Sequence, residues 1–304
     1  MRAKPTTVAA AAAAAQDNDG VLSRTQLHDL GVNRWDIRRE VRSRRWQVPG
    51  RHAVALHTGP LDQRAWWRVA VIEAGRHAAL DGVTALLAAG LRNYSEPLIH
   101  VSVPRGAHPG GCPGVRVHET RRRADADVVE SGIRRVRPAV AAVHAALWAK
   151  TDRQAALLIV MAVQQRLTTG TAIVNALAKV KRHSRRQLLT LIARDVTDGA
   201  QSLGELDFAA MCRAQGLPEP SRQVLRKGPR GRVYLDVYWD HVNLVVEIEG
   251  IHHGNGETQV EDALRQNALS LDGVVWLRIP LLGLRIAPDQ FMRQVDAAFA
   301  GAAA

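Results

Sequence analysis

The segment Val233-Tyr234-Leu235-Asp236-Val237-Tyr238-Trp239-Asp240-His241-Val242-Asn243-Leu244-Val245-Val246-Glu247-Ile248-Glu249-Gly250 is two β-rich runs around Asp240 to Asn243, whose Asp and Asn suit a tight turn. With the turn centred between His241 and Val242, Asp236 falls opposite Glu247. Side chains alternate along a strand, so Val245, Glu247 and Glu249 share one face and Leu244, Val246 and Ile248 the other. Asp236 joins the acidic face, with opposed Cβ atoms about 5 Å apart. Three carboxylates on one patch of an apolar hairpin repel one another, and burial raises that cost. A divalent cation with oxygen ligands is the simplest compensation. Mg2+, typically held by one or two carboxylates plus substrate phosphate, suits hydrolysis of a phosphodiester by a metal-activated water. A hairpin at a sheet edge, its acidic face in solvent, would explain the same residues without any chemistry.

Beyond the hairpin, Glu249 runs into Gly250-Ile251-His252-His253-Gly254, where His253 is a candidate general acid, base or metal ligand. Val260, Leu264, Ala268 and Leu271 then repeat at helical spacing, with Asp262 and Arg265 one turn apart, and Val274 to Ile279 reads as a buried strand carrying Arg278. An arginine there needs a partner, either a phosphate or one of the acidic residues. The succession Asp236, Glu247-x-Glu249-Gly250, His253, Asp262-x-x-Arg265, Leu269, Gly273 and Arg278 resembles the endonuclease-like domains related to very-short-patch repair endonucleases, within the PD-(D/E)XK superfamily, over about residues 198 to 299. The resemblance implies a restriction-endonuclease-like α/β sheet in which Asp236 and Glu247 bind the metal and Glu205, on a preceding helix, assists. Glu249 stands where the superfamily carries lysine, as in the very-short-patch-like branch, where a nearby histidine takes part. The general base is thus open between Glu249 and His253, and in a nuclease Arg278 would contact the scissile phosphate. The same departure would suit a site that has drifted to a binding role.

At the other end of the chain, residues 5 to 16 read as a helix stopped by Gln16-Asp17-Asn18-Asp19-Gly20. Ser23 can cap a helix from Arg24 to Leu30, closed by Gly31, and Asn33 can cap another from Arg34 to Ser43. In the latter, Trp35, Ile37 (or Arg38) and Val41 mark an apolar face. Trp46 to Leu56 offers two short strands around Pro49-Gly50, a wing. This rhythm predicts a winged helix-turn-helix that places Arg34, Arg38, Arg39, Arg42, Arg44 and Arg45 on double-stranded DNA, since a major groove admits one helix and phosphates attract guanidinium groups. A solvated basic helix, or one docked on another domain, is the plainer alternative. Gly31-Val32, Arg44-Arg45-Trp46-Gln47-Val48 and Pro49-Gly50 resemble the winged-helix region that opens AbiEi-like antitoxin proteins, over about the first sixty residues. That resemblance leaves room for a toxin or defence-system partner protein, which the residues do not identify.

Between the ends, Asp62 to Ala74 and Gly82 to Leu91 have helical spacing, and Leu98 to Val103 and Val115 to His118 read as strands around the Gly/Pro-rich stretch Pro104 to Gly114. Trp66-Trp67 on an amphipathic helix reads as core rather than a platform for bases. His108, His118 and His144 lack metal-ligand spacing and receive no role. Residues 138 to 198 are a series of helical patterns broken at Thr151-Asp152, Thr168-Thr169-Gly170 and His183-Ser184. The expected organisation is a multi-domain α/β chain: 1–58 winged helix-turn-helix, 59–137 small mixed domain, 138–197 helical connector, and 198–304 endonuclease-like domain.

Length and composition agree with several domains. The chain has 304 residues, 46% hydrophobic but only 4% aromatic, so its cores are built from Ala, Leu, Val and Ile. Two distant cysteines, Cys112 and Cys212, argue against a disulfide framework and for a reducing, cytoplasmic setting. Arg2, Lys4 and the alanine run to Ala15 copy a secretory signal only superficially, because alanine replaces its leucine-rich centre. No apolar stretch is long enough to span a bilayer, and no membrane partner is expected. The net charge of +12 is unevenly placed: residues 195–304 hold 10 Lys and Arg against 15 Asp and Glu, leaving 31 against 14 in residues 1–194. Attraction for a polyanion therefore belongs to the front two-thirds. Two functions fit: a metal-dependent DNA endonuclease using Mg2+ or Mn2+, and a DNA-binding regulator of antitoxin type with an inactive nuclease-like domain.

Overall fold

The protein is represented by a computed structural model that describes residues 5–303 apart from 122, 199–205, 207, 228–232, 251–259 and 261–275. The chain is mixed α/β and divides into two units, Met1–His144 and Ala145–Ala304.

In the first unit, alanine-rich α1 (Pro5–Gln16) is followed by β1 (Val21–Ser23), α2 (Arg24–Asp29), α3 (Arg34–Arg42) and β2 (Ala53–Ala55). Ser23 caps α2 and Asn33 caps α3, each in a reciprocal box with the third helical residue, Gln26 or Asp36. β1 and β2 pair antiparallel with Leu22 opposite Val54, and the expected first strand of the wing is reduced to a single bridge between Gln47 and Ala55. Leu22, Leu27, Val32, Ile37, Trp46 and Val54 close over α1 as one small core. One expectation fails here. Trp35 is 59% exposed, and the residues that α3 buries are Asp36, Ile37 and Glu40. Asp36 must turn back to accept from the Asn33 N–H, and at about 100° per residue that phase carries Ile37 and Glu40 inward and Trp35 outward.

The rest of this unit comprises α4 (Gln63–Ala74), β3 (Ala79–Leu80), α5 (Gly82–Ala88), β4 (Ile99–Pro104), β5 (Val115–Thr120), β6 (Val128–Val129), β7 (Arg135–Val136) and the start of α6 (Pro138–Trp148). The sheet order is β5-β4-β3-β7-β6, with β4/β5 and β3/β7 parallel and the other pairs antiparallel. Trp67 is buried as expected of a core residue, whereas Trp66 is exposed because it lies on the outer side of α4. Two carboxylates bind this part to the part that precedes it. Asp19 accepts from Arg64 at 2.8 Å and Arg68 at 2.7 Å. Buried Glu73 accepts from the backbone N–H groups of Arg51, His52 and Ala53 at 3.0, 2.7 and 2.8 Å.

In the second unit, Thr151 and Thr169 cap α7 (Asp152–Gln164) and α8 (Gly170–Ala178), and α9 (Arg186–Asp198) packs on both. After α10 (Phe208–Ala214) come β8 (Arg222–Lys227), β9 (Val233–Trp239), β10 (Leu244–Glu249), β11 (Trp276–Pro280), α11 (Leu281–Ile286) and α12 (Pro288–Ala303). The sheet order is β11-β10-β9-β8, parallel between β10 and β11 and antiparallel elsewhere. Leu235, Val237, Trp239, Leu244, Val246 and Ile248 form its apolar face, in one core with Phe208, Phe291 and Val295. The helices α7 to α9 fall in the same unit as this sheet, and Arg285 of α11 binds buried Asp195 of α9 through Nε at 2.8 Å and Nη2 at 3.2 Å. No helix among the described residues is long and apolar enough to cross a membrane.

Candidate functional site

The β9/β10 hairpin has the register that its alternation predicts. Asn243, one of the few non-glycine residues that adopt the left-handed region readily, sits at φ 51° in the turn, and Asp236 stands directly opposite Glu247. Although they occupy the face away from the apolar core, Asp236 is only 5% exposed and Glu247 only 3%. Half-buried Glu249 follows on the same face, opposite Tyr234. On the far side of β10, the parallel strand β11 sets Arg278 opposite Glu247, with Nη2 3.5 Å from Oε2. Tyr238 donates its hydroxyl to Asp236 Oδ2 at 3.4 Å.

One transverse row of the sheet thus carries Val224, Asp236, Glu247 and Arg278 on β8, β9, β10 and β11. Opposing two carboxylates across a strand pair costs stability, and the 50% exposed Arg278 side chain offsets part of that while its remaining surface faces solvent. Two acidic oxygen donors from neighbouring strands are what Mg2+ needs from protein, since it keeps waters or phosphate oxygens elsewhere in its shell. Among the described residues, no group of three or more His, Cys, Asp or Glu is arranged to hold a metal ion. Glu205, His253, Asp262 and Arg265 lie outside the described residues.

A second surface is on α3. Arg34, Arg38 and Arg42 recur every fourth residue on its outer side and, with Arg24, Ile37, Val41 and Val48, line a hollow of ≈ 470 Å³ between α2, α3 and the wing segment. Exposed Trp35 lies between two of them: the Arg34 and Arg38 guanidinium carbons are 4.8 and 5.1 Å from its ring centre. The six arginines singled out by sequence are not equivalent. Arg39 bonds Asp36 at 3.0 Å, and Arg45 bonds Glu40 at 2.6 Å. The Arg45 hydrogen bond holds the Glu40 carboxyl below its usual range against the opposing effect of burial. Arg39 and Arg45 therefore serve the helix itself, while Arg34, Arg38, Arg42 and Arg44 are exposed.

Four ionisable residues that sequence spacing passed over meet inside the first unit. His144 Nδ1 lies 2.9 Å from fully buried Asp81, which also accepts from the Gly82 N–H as the cap of α5. His100 Nδ1 is 3.0 Å from His118 Nε2, with the two rings stacked. Burial, followed by the neighbouring His100, pushes His118 down to about 4. Asp81 is a residue type that suits a helix cap, but its partner is 63 residues away and no local pattern announces it.

Scanned against models of known protein families, the chain matches none, and a search of curated proteins returns no match.

Proposed function

We propose that the chain binds double-stranded DNA through a winged helix-turn-helix in its first unit and hydrolyses phosphodiester bonds at the Asp236/Glu247 pair of a restriction-endonuclease-like second unit. The observation that carries the reading is the direct opposition of these two buried carboxylates at the middle of the sheet, with Arg278 beside them. Asp236 and Glu247 would hold Mg2+ or Mn2+, which when bound supplies Lewis-acid charge and a more acidic water. Arg278 has a guanidinium long enough to serve Glu247 and a phosphate oxygen alternately. Glu249, on the same face, would accept a proton from the attacking water, with His253 as the other candidate and Glu205 as support. Arg34, Arg38, Arg42 and Arg44 supply phosphate contacts.

A second reading is a DNA-binding regulator whose nuclease-like unit is inactive. It is favoured by the ion pair that Glu247 already makes with Arg278. Incubation of the full chain with supercoiled plasmid in Mg2+, Mn2+ or chelator, beside Asp236→Ala and Glu247→Ala, separates the two. Metal-dependent nicking that disappears in both variants supports the nuclease. Intact plasmid under every condition, with duplex binding retained, gives the regulator.

A further inference from the structure

From Arg153 to Arg194 the chain contains eight Lys and Arg and no Asp or Glu, bounded by Asp152 and Asp195. The two bounding acids are both engaged: Asp152 accepts from Arg185 Nε at 2.6 Å, and Asp195 is held by Arg285. Arg185 is the pin of the α8–α9 loop. Its guanidinium also donates to the carbonyls of Ala149 at 2.6 Å and Ala146 at 3.3 Å, capping the end of α6, while its backbone N–H donates to His183 Nδ1 at 3.1 Å. The loop is therefore built, with one arginine turned inward, and it presents Lys181 and Arg182 to solvent beside exposed Arg186 at the start of α9. Arg194 is exposed about 12 Å further along α9. Lys181 and Arg182 make no ion pair among the described residues.

We infer that this loop is a second polyanion-binding surface, and that its partner is the phosphate backbone of duplex nucleic acid. It lies in the second unit and shares only the partner, not the residues, with the α3 surface. Those 42 residues of sequence contribute no acid of their own, and ordering by Arg185 removes part of the entropy a flexible basic tail would lose on binding. An anionic membrane would recruit the same charge, but peripheral helices on membranes also insert Trp, Phe or Leu. Among the described residues of α7 to α9 and their loops, no large hydrophobic side chain is strongly exposed.

The test is anisotropy of a labelled duplex titrated with the full chain in chelator, from about 50 to about 200 mM salt, where each phosphate neutralised contributes about 0.9 to the logarithmic salt slope. Lys181→Ala/Arg182→Ala is expected to flatten the slope by about 2 and weaken binding, and the swap Lys181→Arg/Arg182→Lys to restore it. The same fall should appear in an Arg34→Ala/Arg38→Ala/Arg42→Ala background. An unchanged slope in the loop variant, while the α3 triple variant loses affinity, overturns the loop and leaves the α3 reading standing. A loss in the loop variant with none in the α3 variant does the reverse. No duplex binding by the parent, or a loop effect seen only on phosphatidylserine vesicles, also overturns the proposal.

Discussion

Glu73 is the residue through which α4 holds residues 51–53, and its removal has a calculable consequence. Its Oε1 accepts from the His52 and Ala53 amides and its Oε2 from the Arg51 amide, all within 3.0 Å. In Glu73→Ala, the buried Ala53 N–H is left unsatisfied at a cost of about 1 to 3 kcal/mol. The Arg51 and His52 amides, which lie at exposed residues, can turn to water and lose about 0.5 to 1 kcal/mol each. Local opening of residues 51–53 should therefore become easier by about 2 to 5 kcal/mol, which speeds exchange of the Ala53 amide about 30-fold or more. Glu73→Gln keeps one carbonyl oxygen for the His52 and Ala53 pair, so its effect should be near 1 kcal/mol. Hydrogen exchange of the Arg51–Ala53 segment in the full chain measures this, with the α3 amides as an internal control because their helix is capped independently by Asn33. Unchanged exchange at Ala53 in Glu73→Ala would refute the argument, as would equal effects of the Ala and Gln variants. Faster exchange with α3 protection retained, accompanied by a modest loss of duplex affinity, is the expected result.

Three further outcomes follow from packing and titration. A Cβ at Gly170 would collide with Thr197 Oγ1 and the Ala193 carbonyl where α8 approaches α9, so Gly170→Ala should lower the urea midpoint by the equivalent of about 1 to 3 kcal/mol, and adding Thr197→Ala should restore only part of it. His118 gains its proton near 4 when folded but near 6.5 when unfolded, so the stability it contributes is present above about pH 6.5 and is lost as pH falls toward about 4. Its partial exposure limits that loss to on the order of 1 to 2 kcal/mol, and His118→Gln should flatten thermal stability between pH 7 and 4.5 relative to the parent by about that amount. Trp35 touches two guanidinium groups and lies outside the core, so Trp35→Ala should leave thermal unfolding unchanged and weaken duplex binding about two- to fivefold, read by anisotropy.

The parts of the fold that could be read in advance are those in which local chemistry agrees with periodicity. The register of the β9/β10 hairpin was legible because a period of two and an Asp/Asn turn admit one pairing, and a slip by one residue would have put Glu247 into the apolar core. The caps Ser23, Asn33, Thr151 and Thr169 were equally local. What escaped depends on distant partners or weak patterns. β8 hides in Arg222-Gln223-Val224-Leu225-Arg226-Lys227, polar at most positions because it is the last strand of the described sheet. Hydrophobicity alone puts Trp35 on the apolar face of α3, whereas the Asn33/Asp36 box sets the helix phase and turns two acids inward. Within α3, the division between Arg39, which neutralises one of those acids, and Arg34, Arg38 and Arg42, which face outward, follows from that phase. The partnership of Arg278 with Glu247 was foreseen as one of two choices, and the parallel placement of β11 supplies it.

The claim on which the functional reading rests is that Asp236 and Glu247 together form a divalent-cation site. Titration of Mn2+ into the full chain, followed by electron paramagnetic resonance of the free ion, tests it without relying on a DNA substrate. The account predicts one Mn2+ bound per chain at this site, lost in both Asp236→Asn and Glu247→Gln, with thermal stability in metal-free buffer retained or raised because each change relieves the opposed charges. Equal Mn2+ uptake by the parent and both variants, or no uptake by the parent at millimolar ion, would contradict it.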